Sequence, residues 1–314
     1  KRDSDLPICF TGHMDTVPLG NETWSYDPFG GEVHDGKMYG RGTTDMKGGV
    51  AAMVLAATQL GSLIHNTKGV VLILTAGEET GCDGAKILCE NPKLLGRAGA
   101  IVVGEPTSNK PLIGHKGALW LKAISKGVTA HGSTPELGVN AVYAACRAVG
   151  EVEKFRFEEQ PHKVIGSPSL NVGRIKGGIN INSVPDHAEF DIDIRSIPSQ
   201  QHQQIISNLQ HHMTSDIELE TTVDVASVIS NFSDSWIQNV YKCVGDILGA
   251  PQHEATAKYF TDASVLAPAF GNPPTIILGP GDAAIAHKTD EYCELEKLYQ
   301  SVELYKAIIK QWIS

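Results

Sequence analysis

The sequence predicts an α/β protein: a doubly wound mixed sheet into which a smaller ferredoxin-like α+β unit is inserted. Three observations carry that expectation. Short runs at Leu6–Thr11, Val70–Thr75, Ala100–Val103 and Ile276–Leu278 are apolar on both faces, as buried strands of a parallel sheet are. Segments with helical spacing, at 48–63, 83–90 and 295–312, separate or follow them. In the middle of the chain Ala188, Phe190, Ile192 and Ile194 alternate with Glu189, Asp191, Asp193 and Arg195, the period of two of a half-exposed antiparallel strand.

The central segment reads as strand Leu119–Ser125, helix Gly138–Phe155, strand Ser169–Ile175, the alternating strand, helix Ser199–Met213 and strand Ile217–Val225. That order, β-α-β-β-α-β, is the ferredoxin-like pattern. Residues 115–228 are therefore expected as one inserted unit, and 1–114 with 229–314 as the domain that carries it. Met38-Tyr39-Gly40 reads as a structural turn.

Composition limits the function classes. The 314 residues suit two domains of about 150 residues each. With 41% hydrophobic and 20% charged residues the chain is too apolar to be disordered. A formal charge of −10 argues against nucleic acid as a partner, because phosphate contacts need clustered Lys and Arg. The longest pure aliphatic stretch, Val70 to Leu74, is far short of the ~20 residues of a membrane span. Six scattered cysteines without a CxxC pair read as free thiols in a reducing compartment, so a cytoplasmic location is expected.

The informative residues follow the expected strands, where ligands of doubly wound sheets bind. After the first strand comes Gly12-His13-Met14-Asp15-Thr16-Val17-Pro18. His13 could ligate a metal while Asp15 accepts its other ring N–H; a loop histidine beside a turn aspartate is the alternative. Next, Gly40-Arg41-Gly42-Thr43-Thr44-Asp45-Met46-Lys47-Gly48-Gly49 opens a helix. It has neither the P-loop nor the dinucleotide spacing, and Asp45 could be a ligand or an N-cap. Thr75-Ala76-Gly77-Glu78-Glu79-Thr80-Gly81 puts two carboxylates side by side, which repel unless a cation or a proton neutralises them; a solvated acidic turn is the other reading. Val103-Gly104-Glu105-Pro106-Thr107 and Ala286-His287-Lys288-Thr289-Asp290-Glu291 complete the set. Two histidines, three carboxylates and a spare glutamate are what two zinc ions with open water positions need.

Taken together, GHMDTVP, GRGTTDMKGG, TAGEETG, GEPT and AHKTDE give the chain a resemblance, over essentially its whole length, to the acetylornithine deacetylase and succinyl-diaminopimelate desuccinylase family of co-catalytic zinc hydrolases, relatives of aminoacylases and carboxypeptidases. The resemblance implies a zinc-peptidase-like catalytic domain and an inserted lid and dimerisation domain. It implies that His13 and Glu105 hold one zinc, Glu79 and His287 the other, and that Asp45 bridges them, with cobalt or manganese as possible substitutes. Asp15 would orient His13, and Glu78 would serve as general base and acid. A cis peptide is expected at Asp45–Met46. The resemblance also implies about 50–60 further residues, an opening helix and strand, ahead of the first motif.

Within the insertion, His131 matches a residue that reaches into the partner subunit's site in a homodimer and steadies the oxyanion. Asn182 and Arg195 match residues that bind the substrate carboxylate, a role the guanidinium fork suits. Read by itself, Arg195 belongs on a wet face, paired with Asp193 or Glu189. The expected reaction is removal of an acyl group from an N-acyl amino acid, with N-acetylornithine favoured and arginine biosynthesis as the setting. His115-Lys116-Gly117 leans that way, since desuccinylases usually carry an arginine pair there; Thr261-Asp262-Ala263 leans towards the wider family. N-succinyl-diaminopimelate desuccinylase, di- or tripeptidase and carboxypeptidase are the alternatives. A non-catalytic binding relative would have lost ligands, and here all five and Glu78 are present.

Overall fold

Ile8, Cys9 and Phe10 have no exposed surface, and that burial on both faces is why the first apolar run becomes a central strand. The computed structural model describes residues 5–213 and 216–314. In chain order its main elements are β1 (Ile8–His13), α1 (Gly48–Gln59), β2 (Val70–Thr75), α2 (Asp83–Cys89), β3 (Ala100–Val103), β4 (Gly117–Lys126), α3 (Ala141–Val152), β5 (Ser169–Gly177), β6 (His187–Ser196), α4 (His202–His212), β7 (Ile217–Val225), α5 (Ser235–Leu248), α6 (Ala263–Ala269), β8 (Thr275–Ile277) and α7 (Leu295–Ile313). They fall into two units, one ending at His115 and resuming over Val228–Ser314, the other Lys116–Ser227.

In the first unit the strand order is β8-β3-β1-β2, and every neighbouring pair is parallel. The carboxyl ends therefore share one edge, with His13 opposite Thr75 and Thr11 opposite Val103. Ile8, Phe10, Val102 and Ile276 point into one core with Met53 of α1, Val240 of α5 and Tyr305 of α7. Phe10 meets Tyr305 edge to face, ring centres 5.3 Å apart. The alternate residues Cys9, Ile101, Val103 and Ile277 are equally buried on the other side, where α6 packs against β3. β1, β3 and β8 are thus covered on both faces, as the doubly wound expectation requires, while the edge strand β2 is only partly buried and leaves Leu74 exposed.

Two helices were not anticipated. In α5 the Asp234 carboxylate accepts the N–H groups of Trp236 and Ile237, Trp236, Val240 and Val244 form the buried stripe, and Gly249 stops the helix in a left-handed conformation. The short α6 follows Asp262. Met38–Tyr39 is also not a turn. It lies in a strand, Lys37–Tyr39, flanked by Val33–His34 and Tyr292–Glu294. The reversal falls at Asp35-Gly36, whose φ values are 49° and 73°, and Tyr26 stacks on Tyr39 at 4.0 Å.

The second unit is a four-stranded antiparallel sheet of order β7-β4-β6-β5. Its strands stand fourth-first-third-second in chain order, the ferredoxin-like arrangement. Leu119, Leu121, Phe190, Ile192 and Ile194 pack against Ala145 of α3 and Leu209 of α4. The opposite face is polar, with Arg174 bonded to Asp191 at 2.6 Å and Lys176 to Glu189 at 2.9 Å.

Candidate active site

The parallel sheet places one motif at each strand exit. His13 ends β1, Glu78 and Glu79 follow β2, Glu105 follows β3, and His287 follows β8 on a residue at φ 65°. Asp45 sits in the turn leading into α1, and its bond to Met46 is cis. Gly49, at the start of α1, lies against the Gly104 carbonyl with no room for a Cβ, which brings α1 close to the exit of β3.

These residues converge. His13 Nε2 lies 3.1 Å from Asp45 Oδ1 and 3.7 Å from Glu105 Oε1. His287 Nε2 lies 3.2 Å from Asp45 Oδ2 and 3.1 Å from Glu79 Oε1. Asp45 thus gives one carboxylate oxygen to each of two groups, His13-Asp45-Glu105 and Asp45-Glu79-His287. His13 Nδ1 stands 3.0 Å from the Asp15 carbonyl oxygen. A carbonyl only accepts, so Nδ1 carries the hydrogen and Nε2 presents its lone pair to Asp45. A lone pair facing a carboxylate at 3.1 Å requires a proton or a cation between them.

Asp15 differs from its expected geometry. Its carboxylate is 3.4 Å from His13 Nδ1, farther than its own carbonyl, and accepts the backbone N–H groups of Glu78 and Glu79 at 3.4 and 3.3 Å. Asp15 therefore holds the His13 loop by its main chain and the glutamate loop by its side chain.

The electrostatics show a buried cluster dense in carboxylates. Burial raises Glu105 well above the usual carboxylate range, and the charges of Asp45, Glu78 and Glu79 push it further. Burial likewise raises Glu78, which is 5% exposed, with Asp262, Glu79, Asp45 and Asp15 adding to the effect. Burial alone would lower His13, but the hydrogen bond and charge of Asp45, with Asp15 and Glu79, lift it above its ordinary value. Burial would raise Asp45, yet His13 and His287 hold it far below the carboxylate range. Two imidazoles and hard carboxylate oxygens, crowded enough to repel, are a donor set that fits divalent cations such as zinc.

Some side chains beside this cluster were not singled out from the sequence as parts of the site. The Glu291 carboxylate is fully buried and accepts the N–H groups of Gly42, Thr44 and Asp45 on one oxygen, at 3.1, 2.9 and 3.0 Å, and Arg41 on the other at 2.6 Å. The glycine-rich loop therefore spends its N–H groups on an internal carboxylate rather than a phosphate. Asp262, 2% exposed, accepts the Thr75 hydroxyl. The available signals were Arg41 within GRGTTD, Glu291 within AHKTDE, and a lone Asp262 ahead of an apolar segment.

The second unit holds the other three candidates. His131 faces Ser183 across a two-residue pairing, and the Asn182 carbonyl accepts the Gly132 N–H at 2.7 Å, so His131 and Asn182 lie together. Ser133 N–H donates to His131 Nδ1 at 3.2 Å, which places the neutral imidazole's hydrogen on Nε2. Arg195 is elsewhere. It pairs with Ser169 at the start of β5, whereas Asn182 lies beyond Gly177 at its end, roughly 26 Å away along the strand. Arg195 Nε bonds Asp193 at 2.9 Å and its guanidinium lies 5.8 Å from the Trp120 ring centre. Close by, Ser196, His202 and Asp224 have the hydrogen-bond order of a nucleophilic triad, at 2.7 and 2.6 Å. Ser196 is 1% exposed behind Gly117, where no acyl carbonyl can reach it.

The comparisons place the chain in a family. The sequence model of peptidase family M20/M25/M40 matches residues 9–311. A probable succinyl-diaminopimelate desuccinylase of Staphylococcus epidermidis is 30% identical, covering 98% of this chain and 83% of its own length. An acetylornithine deacetylase of Pasteurella multocida is 32% identical, covering 97% and 80%. Among solved structures, an M20 family metallo-carboxypeptidase of Sulfolobus solfataricus superposes with TM-score 0.81 at 16% identity over 99% of this chain and 86% of its own. The aminopeptidase PepT of Bacillus cereus does so with TM-score 0.70 at 25% identity over 99% and 82%. With a family model matched over residues 9–311 and two relatives 30% and 32% identical over nearly the whole chain, the chain belongs to peptidase family M20/M25/M40 and is a hydrolase of amide bonds.

Proposed function

We propose that this protein removes an acyl group from the α-amine of an amino acid, in the manner of an acetylornithine deacetylase. The observation that carries the reading is Asp45, with one oxygen at each of two His-carboxylate groups and the buried Glu78 beside them. His13 and Glu105 would hold one zinc ion, Glu79 and His287 a second, and Asp45 both; cobalt or manganese suits the same donors. When bound, the ions supply Lewis-acid polarisation of the acyl carbonyl and acidify water. Glu78 takes a proton from the attacking water and later delivers it to the leaving nitrogen; the C–N bond breaks, releasing a carboxylate and a free amine. Its raised pKa suits a group that must hold a proton between those steps. Asp15 keeps the His13 ring and the Glu78–Glu79 loop in register.

Arg195 is the proposed anchor for the substrate carboxylate. Asn182 and His131 stand at the opposite end of the same sheet, so one copy of the unit cannot close all three around one small amide. We therefore assign the inserted unit, 115–228, the role of lid and dimerisation domain, with His131 Nε2 and Asn182 serving the partner subunit's site. Val128, Leu137, Val139, Tyr143, Ile179 and Ile181 expose apolar surface around His131, which supports a homodimer joined there.

Lys116 favours deacetylation over desuccinylation. With His115 beside it, Lys116 gives this position one fixed positive charge where desuccinylases usually carry an arginine pair, and its ammonium donates to the Ser167 carbonyl at 2.5 Å. Such an activity belongs to arginine biosynthesis in the cytoplasm, and the free state of all six cysteines supports a reducing compartment. No helix among the described residues is long and apolar enough to cross a membrane. The test is kcat/KM on N-acetylornithine, N-succinyl-diaminopimelate and dipeptides with the zinc-loaded protein. Preference for N-acetylornithine is the expected result; a faster succinyl substrate reassigns the chain as a desuccinylase, and a faster dipeptide as a peptidase.

A further inference from the structure

Arg41 and Glu291 form an ion pair whose side chains are 2% and 1% exposed. Burying such a pair is poor evidence for stability, because desolvation offsets much of the attraction. Its connections suggest another purpose. Arg41 Nη1 also donates to the Lys288 carbonyl at 3.2 Å, next to His287, and Nη2 to the Pro18 carbonyl at 3.2 Å, in the segment that follows His13 and Asp15. Its guanidinium lies 5.1 Å from the Trp24 ring centre, which closes that side. Glu291 gathers the N–H groups of Gly42, Thr44 and Asp45 on a single oxygen, and Gly42 reaches this geometry at φ 83°. One pair thus ties together the loops bearing His13, Asp45 and His287.

We propose that Arg41 and Glu291 are positioning residues that hold these three loops at the spacing a divalent cation requires, while touching neither the cation nor the substrate. The inference rests on the reading of His13, Asp45 and His287 as ligands. Without the clamp, Asp45 can turn either oxygen away from its imidazole, and cation binding must then reorder the loops. Partners of ligands in comparable positions change metal affinity or activity by about 10–100-fold.

The test titrates Zn²⁺ into metal-free wild type, Arg41→Lys, Glu291→Gln, Glu291→Ala and Asp45→Asn against a chromogenic chelator, and measures Tm with and without zinc. Arg41→Lys keeps the charge but loses the fork; Glu291→Gln keeps an acceptor for the three N–H groups but loses the ion pair. Both should bind zinc about 10–100-fold more weakly, with a smaller zinc-induced rise in Tm. Glu291→Ala should be weaker still, and the two conservative variants decide the matter if it does not fold. A pair that only supports the fold would lower Tm equally with and without zinc and leave the affinity unchanged, which overturns the proposal. Zinc binding by Asp45→Asn as in wild type overturns the ligand reading itself. Loss of zinc in Asp45→Asn with normal binding in Arg41→Lys and Glu291→Gln overturns the clamp alone.

Discussion

The His287 imidazole stands 3.1 Å from the Glu79 carboxylate, half exposed at the mouth of the cluster. Hydrogen bonds donated to the Asp45 and Glu79 carboxylates push its pKa from 6.5 to about 10 in the metal-free protein. A cation needs the neutral ring, so zinc uptake near pH 7 must expel that proton. Apparent zinc affinity should rise with pH by about one log unit per pH unit from this group, with proton release visible as buffer-dependent binding heat. The metal-free fold behaves oppositely. A folded pKa above the unfolded one stabilises fully below about 6.5 and is lost as pH climbs towards about 10. Glu78 and Glu105, raised by burial, also favour the fold less as pH rises past the ordinary carboxylate range. Metal-free Tm should therefore fall between pH 6 and 9 while the zinc-induced increase grows. A flat metal-free Tm would contradict the proton-filled cluster.

Glu78 and Glu79 are neighbours with different surroundings. Glu79 bonds His287, whereas Glu78 belongs to neither group of ligand atoms. Glu78→Ala should abolish turnover, a loss of at least about 10²–10⁴-fold, with zinc content unchanged by metal analysis. Glu79→Ala should instead lose zinc. Activity in a clean zinc-loaded Glu78→Ala protein would remove Glu78 from the proton-transfer role.

Arg195 lies beside Asp193 and Trp120 at the β5-start end of its sheet. If it anchors a substrate carboxylate, Arg195→Ala should raise KM about 10–100-fold with little change in kcat, the scale of one charge-assisted hydrogen bond. A substrate whose carboxylate is replaced by a carboxamide should show the same KM in both proteins. An equal loss on both substrates would make Arg195 a structural partner of Asp193.

Phe10 is fully buried edge-on to Tyr305, between β1 and α7. Phe10→Ala should cost about 3–5 kcal/mol of stability by removing the ring and leaving a cavity. Chemical denaturation of the zinc-loaded protein checks this, and a change under 1 kcal/mol would mean that the core collapses around the gap.

The doubly wound sheet was readable because β2 and β3 are short, continuous, β-branched-rich apolar runs, and their observed ends coincide with those expected. The residues of the two groups, His13-Asp45-Glu105 and Asp45-Glu79-His287, were named through the family resemblance, and four of the five stand at or after the carboxyl ends of the parallel strands, with Asp45 in the turn that leads into α1. What stayed hidden depends on side chains meeting across long stretches of chain. Nothing local announces that Glu291 will collect N–H groups from Gly42, Thr44 and Asp45, or that Asp15 will use its carbonyl on His13 and its carboxylate on the glutamate loop. Arg195 shows the opposite limit. Both its wet-face pairing with Asp193 and its carboxylate-binding role were stated from sequence, and the register adds that Asn182 is at the far end of the sheet.

That separation leads to a test that no single variant can give. If His131 serves the partner's site, Glu78→Ala and His131→Ala proteins are each inactive for a different reason: one lacks its proton carrier, the other lacks the donor its partner needs. In a mixed dimer, one site combines the intact Glu78 of the His131→Ala chain with the intact His131 of the Glu78→Ala chain. The other site carries both defects. Unfolding and refolding the two variants together should therefore restore about a quarter of the wild-type activity, since half of randomly paired dimers are mixed and one of their two sites is whole. Refolding either variant alone should restore none. If the mixture stays inactive while sedimentation shows mixed dimers, His131 acts within its own chain or not at all. If no dimer forms, the apolar surface around Ile179 and Ile181 has another purpose.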